Sequence, residues 1–535
     1  MLYTRTSSHE LEMNMADEAC SLLDVVFSPV TLPVSRLTVH NRLVKVALYE
    51  HLAPLLGGAP TRLLHDLYSR WATSSLEQHW GMIMTGNVQV AHDHLTLGRD
   101  MVIPESDDPA ALVSFRALAD AMHSPGRHGS LAIMQLSHAG RQSANIIGGR
   151  TLLSQPLAPS PVRVGSGKEV RYALDALSYV FHALLFQTPR EMSIQDIDGV
   201  VARFVHGALV ARDAGFDGIQ LHCAHGYLLS EFLSAKTNRR HDEYSCASPQ
   251  NALRILRRIV TDIRAATGLV NFAVGVKIGA GDYSSGTDVG LEELTLSERI
   301  AVAYISEVAS WGTVDFIEIS GGDYEKPDFM TASSSKAPFF ARVAKAVRAA
   351  LDEQCKSTMP RPLVILTGNL TTPRAVQQVL GAETRSAPSA DLCGIGRMAI
   401  LRPDLPARLA GELQARSEEE STDDDSWWRT PFHHMPNPTP PSWLPKIGLV
   451  GAGSSMAWYN VRLRALANGG GVSADGGELD DKMGPVSAVL RMWLWFTVED
   501  ARKLGWYLAE WAFWAVSLFL IVLLAWLMTA YNDGM

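Results

Sequence analysis

The chain reads as an α/β protein built on a (β/α)8 barrel, and three observations predict this. Short apolar runs alternate with longer stretches of helical periodicity from about residue 30 to 415, the pattern of a parallel sheet wrapped in helices. Eight such pairs occur, the number that closes a barrel. An open doubly wound sheet would place a glycine cradle after its first strand, but that position holds Leu43-Val-Lys-Val-Ala-Leu-Tyr49.

In chain order, strands are predicted at 43–48, 81–85, 131–136, 218–221, 272–278, 316–319, 363–366 and 392–395. Helices are predicted at 63–78, 109–122, 197–214, 249–267, 296–310, 338–351, 373–380 and 404–415. Asp108-Pro109, Ser248-Pro249 and Thr372-Pro373 mark helix starts. In each, a capping side chain precedes a proline whose missing N–H is tolerated in the first turn. A Pro- and Gly-rich insertion, 144–190, separates the third strand from its helix and is expected to form a hairpin or lid at the barrel mouth.

Outside the barrel (27–415), residues 1–26 read as an N-terminal tail without a secretory signal, since Glu10, Glu12, Asp17 and Glu18 interrupt them. Residues 416–490 read as a solvated linker: acidic at 417–425, proline-rich at 431–445, and rich in Gly and Asp at 469–484. Val450-Gly-Ala-Gly-Ser-Ser-Met456 imitates a dinucleotide glycine motif but lacks a βαβ unit, so a turn into a short helix at 456–466 is expected. Residues 491–535 read as a juxtamembrane segment and a transmembrane helix. The stretch 511–530 is uncharged, and as a helix it would span ~30 Å. Trp506, Tyr507, Trp511 and Tyr531 flank it as interfacial aromatics. Arg491, Arg502 and Lys503 precede it and Asp533 follows, which predicts a single-pass tail anchor in a lipid bilayer with the barrel facing the cytosol.

A hydrophobic content of 47% with 19% charged residues suits a globular chain with a large core. The net charge of −9, with no dense basic stripe, argues against nucleic acid as a partner. Five scattered cysteines suggest a reducing compartment rather than a disulfide framework.

Chemistry concentrates at the strand ends. The fourth run stops at His222, with His225 and Tyr227 just beyond. Two imidazoles and a phenol there form a donor cluster able to grip a substrate oxygen and move a proton. The competing readings are a core histidine pair and a metal pair with Cys223. The other ends carry Tyr49 and Glu50, Gly86-Asn87, Gln135 with His138, Lys277, Ser320-Gly321-Gly322, Thr367-Gly368-Asn369 and Gly394-Ile395-Gly396-Arg397. No carboxylate cluster joins the histidines, so no metal is expected. Glycines after strands seven and eight, followed by an arginine, are where barrels hold phosphate. A planar, phosphate-bearing organic cofactor accounts for this set.

Several motifs resemble signatures of the old yellow enzyme family of FMN-dependent NAD(P)H:flavin oxidoreductases and ene-reductases. They are Gln135-Leu-Ser-His-Ala-Gly-Arg-Gln142, His222-Cys-Ala-His-Gly-Tyr227, Ser230-Glu-Phe-Leu-Ser234, Asn238-Arg-Arg-His-Asp-Glu-Tyr244 and Gly394-Ile-Gly-Arg397. Thr85-Gly-Asn87 and Thr188-Pro-Arg-Glu-Met-Ser193 also fit, and the resemblance spans about residues 30 to 410. It implies FMN as cofactor and NAD(P)H as reductant. Gln135 would pair with the pyrimidine edge of the flavin, and Lys277 would sit near its N1 and C2 carbonyl. Gly86 would join the cofactor contacts, and Gly368, Gly396 and Arg397 would hold the phosphate. His222 and His225 would bond the carbonyl oxygen of an activated alkene, and Tyr227 would supply the proton. Where many relatives carry Cys or Thr near the flavin C4 carbonyl, this chain has Tyr49. Ser245-Cys246 and Ala252 also depart from the family pattern. His138, Arg141 and Arg239 read as structural. Dehydrogenation, isomerisation or demethylation in the same pocket are alternatives, as is a catalytically degenerate, membrane-bound scaffold. A homo-oligomer is a further partner to consider.

Overall fold

The computed structural model describes residues 22–74, 78–105, 108–123, 129–151, 154–165, 185–281, 294–321, 340–355, 359–381, 387–418, 429–436, 448–470, 483–497 and 500. Residues 1–492 form one compact unit and 493–535 another; the barrel belongs to the first. The expected membrane span at 511–530 lies outside the described residues. Among those described, no helix is long and apolar enough to cross a membrane.

Eight parallel strands close the barrel: β1 (Leu43–Lys45), β2 (Met82–Gln89), β3 (Leu131–Ser137), β4 (Gly218–Cys223), β5 (Ala273–Gly279), β6 (Phe316–Ser320), β7 (Leu363–Thr367) and β8 (Leu392–Ile395). Each pairs with its neighbours in sequence order, and β8 returns to β1 through Cys393↔Leu43, Gly394↔Val44 and Ile395↔Lys45. The outer helices are α1 (Arg62–Ala72), α2 (Pro109–Met122), α3 (Ile194–Asp213), α4 (Arg254–Thr267), α5 (Leu296–Ser310), α6 (Ala341–Gln354), α7 (Pro373–Leu380) and α8 (Leu405–Glu418). The proline starts behave as expected. Asp108 caps Ala110 and Ala111 N–H, Ser248 caps Asn251 N–H, and Thr372 caps Ala375 N–H.

An antiparallel hairpin, Val30–Thr31 with Thr38–Val39, plugs the amino-terminal end of the barrel. Its Leu32 and Val39 share one buried cluster with Val44, Met82, Ile133, Ala273, Phe316, Leu363 and Leu392 from the starts of the strands. Phe316 fills the space beside Gly275, where a Cβ would strike its ring. With that end closed, the open mouth lies at the carboxyl ends of the strands.

Several boundaries differ from expectation. β2 runs on to Gln89, with a register shift between Met84 and Asn87, so Gly86 and Asn87 sit within the strand rather than after it. α1 stops at Ala72, not 78, because Thr73 and Ser74 turn their hydroxyls back to Ser69 O and Trp71 O. The helix expected at 249–267 is broken at Leu253 into a single turn, Pro249–Ala252, and α4. In the insertion, Leu157–Ala158 pairs with Arg190–Glu191 in parallel, which is not a hairpin; residues 166–184 lie outside the described set. Helix α9 (Gly448–Ala467) is continuous through the glycine motif, where a turn was expected. It also packs on α1, with Trp458, Leu463 and Leu466 buried. This part of the presumed linker is therefore folded, because its apolar residues find a surface on the barrel to cover.

Candidate active site

The mouth holds a cavity of about 1100 Å³, above the ~300–1,000 Å³ usual for one small ligand. It therefore has room for a cofactor and a second reactant. Tyr49, Gln135, His222, His225, Tyr227, Lys277, Gly368, Gly396 and Arg397 all line it. Gly86 does not. Its N–H donates to Glu50 Oε1 and to the Tyr68 hydroxyl, both at 2.8 Å, and a Cβ there would collide with the Glu50 carboxylate. Gly86 therefore serves packing behind the wall, while its neighbour Asn87 faces the cavity.

The histidine wall follows from how β4 ends. Ala224 N–H donates to His222 Nδ1 at 3.3 Å, which leaves the proton of a neutral ring on Nε2. Burial, then the neighbouring His225 and Lys277, hold the His222 pKa well below its ordinary value. His222 is thus a neutral N–H donor at physiological pH. His225 adopts a left-handed backbone (φ 59°), which turns the chain so that both imidazoles share one wall. Their ring centroids lie 5.0 Å apart, and Tyr227 meets His222 edge-on at 4.8 Å. His225 Nε2 bonds Ser320 Oγ at 3.0 Å, so a ligand oxygen reaching that nitrogen must exchange with the serine. Its pKa is lowered too, by burial and then by Lys277. His138, read as structural, accepts from Gly140 N–H, and its ring lies 4.3 Å from that of His94 at a tilt of 34°.

A second wall is a buried polar chain. Lys277 Nζ pairs with Glu318 Oε1 at 2.9 Å, where Thr367 Oγ1 also donates. Glu318 Oε2 accepts from Gln220 Nε2 at 2.8 Å, and Gln220 Oε1 accepts from Gln135 Nε2 at 2.5 Å. A carboxylate can only accept, so it fixes which way Gln220 points and, through it, Gln135. Gln135 thus keeps Oε1 and one N–H for the cavity. Residue-by-residue reading of the sequence missed Gln220 and Glu318. The available signal was an acidic residue inside the apolar run Phe316-Ile-Glu-Ile-Ser320, since a buried charge requires a partner.

The third wall is glycine-rich. Gly394 has no room for a Cβ because Thr367 Oγ1 occupies the space, and Gly368 has φ 133°. Gly396 precedes the short helix Arg397–Leu401, and Arg374 on α7 lines the same cavity. Tyr49 completes the rim. Its hydroxyl bonds His51 Nδ1 at 3.2 Å, and burial, reinforced by Asp100, holds its pKa well above 10.0.

Behind the histidine wall, Glu231 is buried and accepts Arg141 N–H at 2.9 Å through Oε1. Burial pushes its carboxyl up to about 8, with Arg141 opposing. Between 4.5, the ordinary value, and about 8 the folded chain keeps a proton that the unfolded chain has lost. Stability therefore falls as pH rises through that window. Glu231→Gln removes this term. Thermal melts should show the variant gaining on the wild type from pH 5 to pH 8; a constant difference would contradict the assignment.

Aromatic and imidazole donors, a buried amide–carboxylate–lysine chain and a glycine–arginine cradle thus meet at the mouth of a (β/α)8 barrel. The chain belongs to the NADH:flavin oxidoreductase / NADH oxidase family, whose sequence model matches residues 25–416. It is 34% identical over 391 residues to an NADH-dependent flavin oxidoreductase of Neonectria sp. (strain DH2), covering 71% of this chain and 46% of that protein. To an NADH-dependent flavin oxidoreductase of Talaromyces variabilis it is 31% identical over 452 residues, covering 81% of this chain and 96% of the relative. Among solved structures, morphinone reductase superposes with a TM-score of 0.54 at 21% identity, covering 75% of this chain and 92% of that one. An old yellow enzyme homologue from Zymomonas mobilis gives 0.52 at 21% identity, covering 76% and 96%. These structural likenesses establish the fold.

FMN is the cofactor of this family and NAD(P)H its reductant. The residues present fit FMN. The glycine–arginine cradle offers backbone N–H groups and guanidinium to a phosphate. Gln135 and Lys277 offer the donors and acceptor that the pyrimidine edge requires.

Proposed function

We propose that the protein reduces an activated alkene, an α,β-unsaturated carbonyl compound, using NADH. The observation that carries this reading is His222 held as a neutral Nε2–H donor beside Tyr227 on one cavity wall. FMN, when bound, would supply hydride chemistry at this mouth. His222 donates to the substrate carbonyl oxygen and stabilises the negative charge that develops there. His225 adds a second donor once its bond to Ser320 is exchanged. Tyr227 delivers a proton to the carbon that does not receive hydride. The preference for NADH over NADPH rests on the names of the fungal relatives.

The deciding experiment is anaerobic reduction of the yellow protein with NADH, followed by addition of a panel of enones. Rapid reoxidation by enones is the expected result. Reoxidation by oxygen alone would instead favour an NADH oxidase activity, the name carried by a Thermoanaerobacter brockii relative that is 30% identical over 376 residues. A colourless protein that ignores FMN would point to a scaffold role.

The buried chain makes a separate prediction. Glu318→Gln strips Lys277 of its counter-ion, so the cation faces the flavin less compensated. The reduction potential should rise by tens of millivolts, at ~30 mV for each tenfold change in a two-electron equilibrium. An unchanged or lowered potential, read by dye-coupled titration, would contradict the role given to this pair.

Membrane attachment through 511–530 is part of the proposal, with the barrel on the cytosolic side. Its support is the uncharged run itself and the flanking Trp506, Tyr507 and Tyr531. Resistance of the full chain to alkaline extraction from membranes is the expected result; release into the supernatant would remove this element.

A further inference from the structure

Part of the cavity wall comes from beyond the family domain. The family match ends at residue 416, yet Arg429, His433, Met456 and Tyr459 line the same cavity as Gly368, Gly396 and Arg397. This post-barrel segment is fastened in place. Phe432 N–H donates to Thr371 O at 2.8 Å, in the loop between β7 and α7, and its side chain is buried. The Tyr459 hydroxyl donates to Pro436 O at 3.0 Å, which ties residues 429–436 to α9. α9 packs on the helix Arg397–Leu401. The Arg397 guanidinium lies over the Tyr459 ring, 5.6 Å from its centroid.

The charge of the lining points to the ligand. Arg374, Arg397 and Arg429 come from three separate stretches of chain and face one cavity, and none of the described lining residues is acidic. Three guanidinium groups give this space a positive potential, the complement of a phosphomonoester carrying about −1.5 to −2 at neutral pH. The glycine cradle would offer such a group backbone donors, and the post-barrel segment a further cation.

We infer that the post-barrel segment supplies part of the cofactor's phosphate site, with Arg429 joining Arg374 and Arg397 on the FMN phosphate and residues 429–436 held over it by Phe432 and Tyr459. This rests on the FMN reading above. Riboflavin, which has the same ring system without the phosphate, separates the two. In the full chain, Arg429→Gln should weaken FMN binding on the order of tenfold to a hundredfold, as for a lost hydrogen bond to a charged group. Riboflavin binding, followed by the same fluorescence titration, should not change. FMN should also protect the Arg429–Thr430 bond from trypsin, and riboflavin should not. An unaltered FMN affinity, an equal loss for both ligands, or equal protection by both would overturn the inference. A wild-type protein that binds neither ligand would overturn the cofactor reading itself.

Discussion

Tyr227→Phe should slow reduction of an enone by ~10²–10⁴-fold, the range for losing a positioned proton donor, while NADH reduces the bound flavin at the wild-type rate. The division follows from what the substitution removes. Tyr227 is buried and packs edge-on against His222 through its ring, and phenylalanine retains that contact. Its side chain makes no cap hydrogen bond to the following helix Leu228–Leu233. Only the hydroxyl disappears, and only the half-reaction that needs a proton should register it. Stopped-flow measurement of the two half-reactions separates them. Loss confined to flavin reduction would sink the proton-donor role, and equal loss in both would mean that Tyr227 shapes the pocket instead.

Asp315→Ala should cost about 3–5 kcal/mol of stability, the range for breaking a buried ion pair. Asp315 is fully buried at the start of β6. Its Oδ1 accepts Val34 N–H at 3.0 Å, Ser35 N–H at 2.7 Å and the Ser35 hydroxyl at 3.0 Å. Its Oδ2 accepts Arg264 at 2.8 Å and Val274 N–H at 3.0 Å. One carboxylate therefore ties the plugging hairpin, α4 and β5 together at the closed end of the barrel. Alanine would strip Arg264 of its buried counter-ion and leave three backbone N–H donors and one hydroxyl without that acceptor. Chemical denaturation should show the loss. A change below about 1 kcal/mol would mean that water or Arg264 rearrangement replaces the tie.

Much of this architecture was legible in one dimension. The strand at 392–395 and the helices at 109–122, 296–310 and 373–380 fall where periodicity places them, with a capping residue before proline marking the starts at 109 and 373. Those signals are local: an apolar repeat and a capping side chain act within one element. His222, His225 and Tyr227 were legible for the same reason, since six consecutive residues at one strand end carry all three. Gly86 was misplaced because a glycine looks alike whether it clears space for a ligand or for Glu50. The glycine motif at 450–456 was misplaced because the helix that carries it packs on α1, some 380 residues earlier.

The sequence by itself therefore determined the barrel, the family and the histidine–tyrosine wall, all of which depend on residues close together in the chain. Only the tertiary structure decided that Glu318 orients Gln220 and Gln135, and that Ser320 holds His225. It alone brought Arg429 and Tyr459 to the cavity of Arg397. Each of these contacts joins side chains from separate strands or segments, and a single chain read in order carries no distance between them.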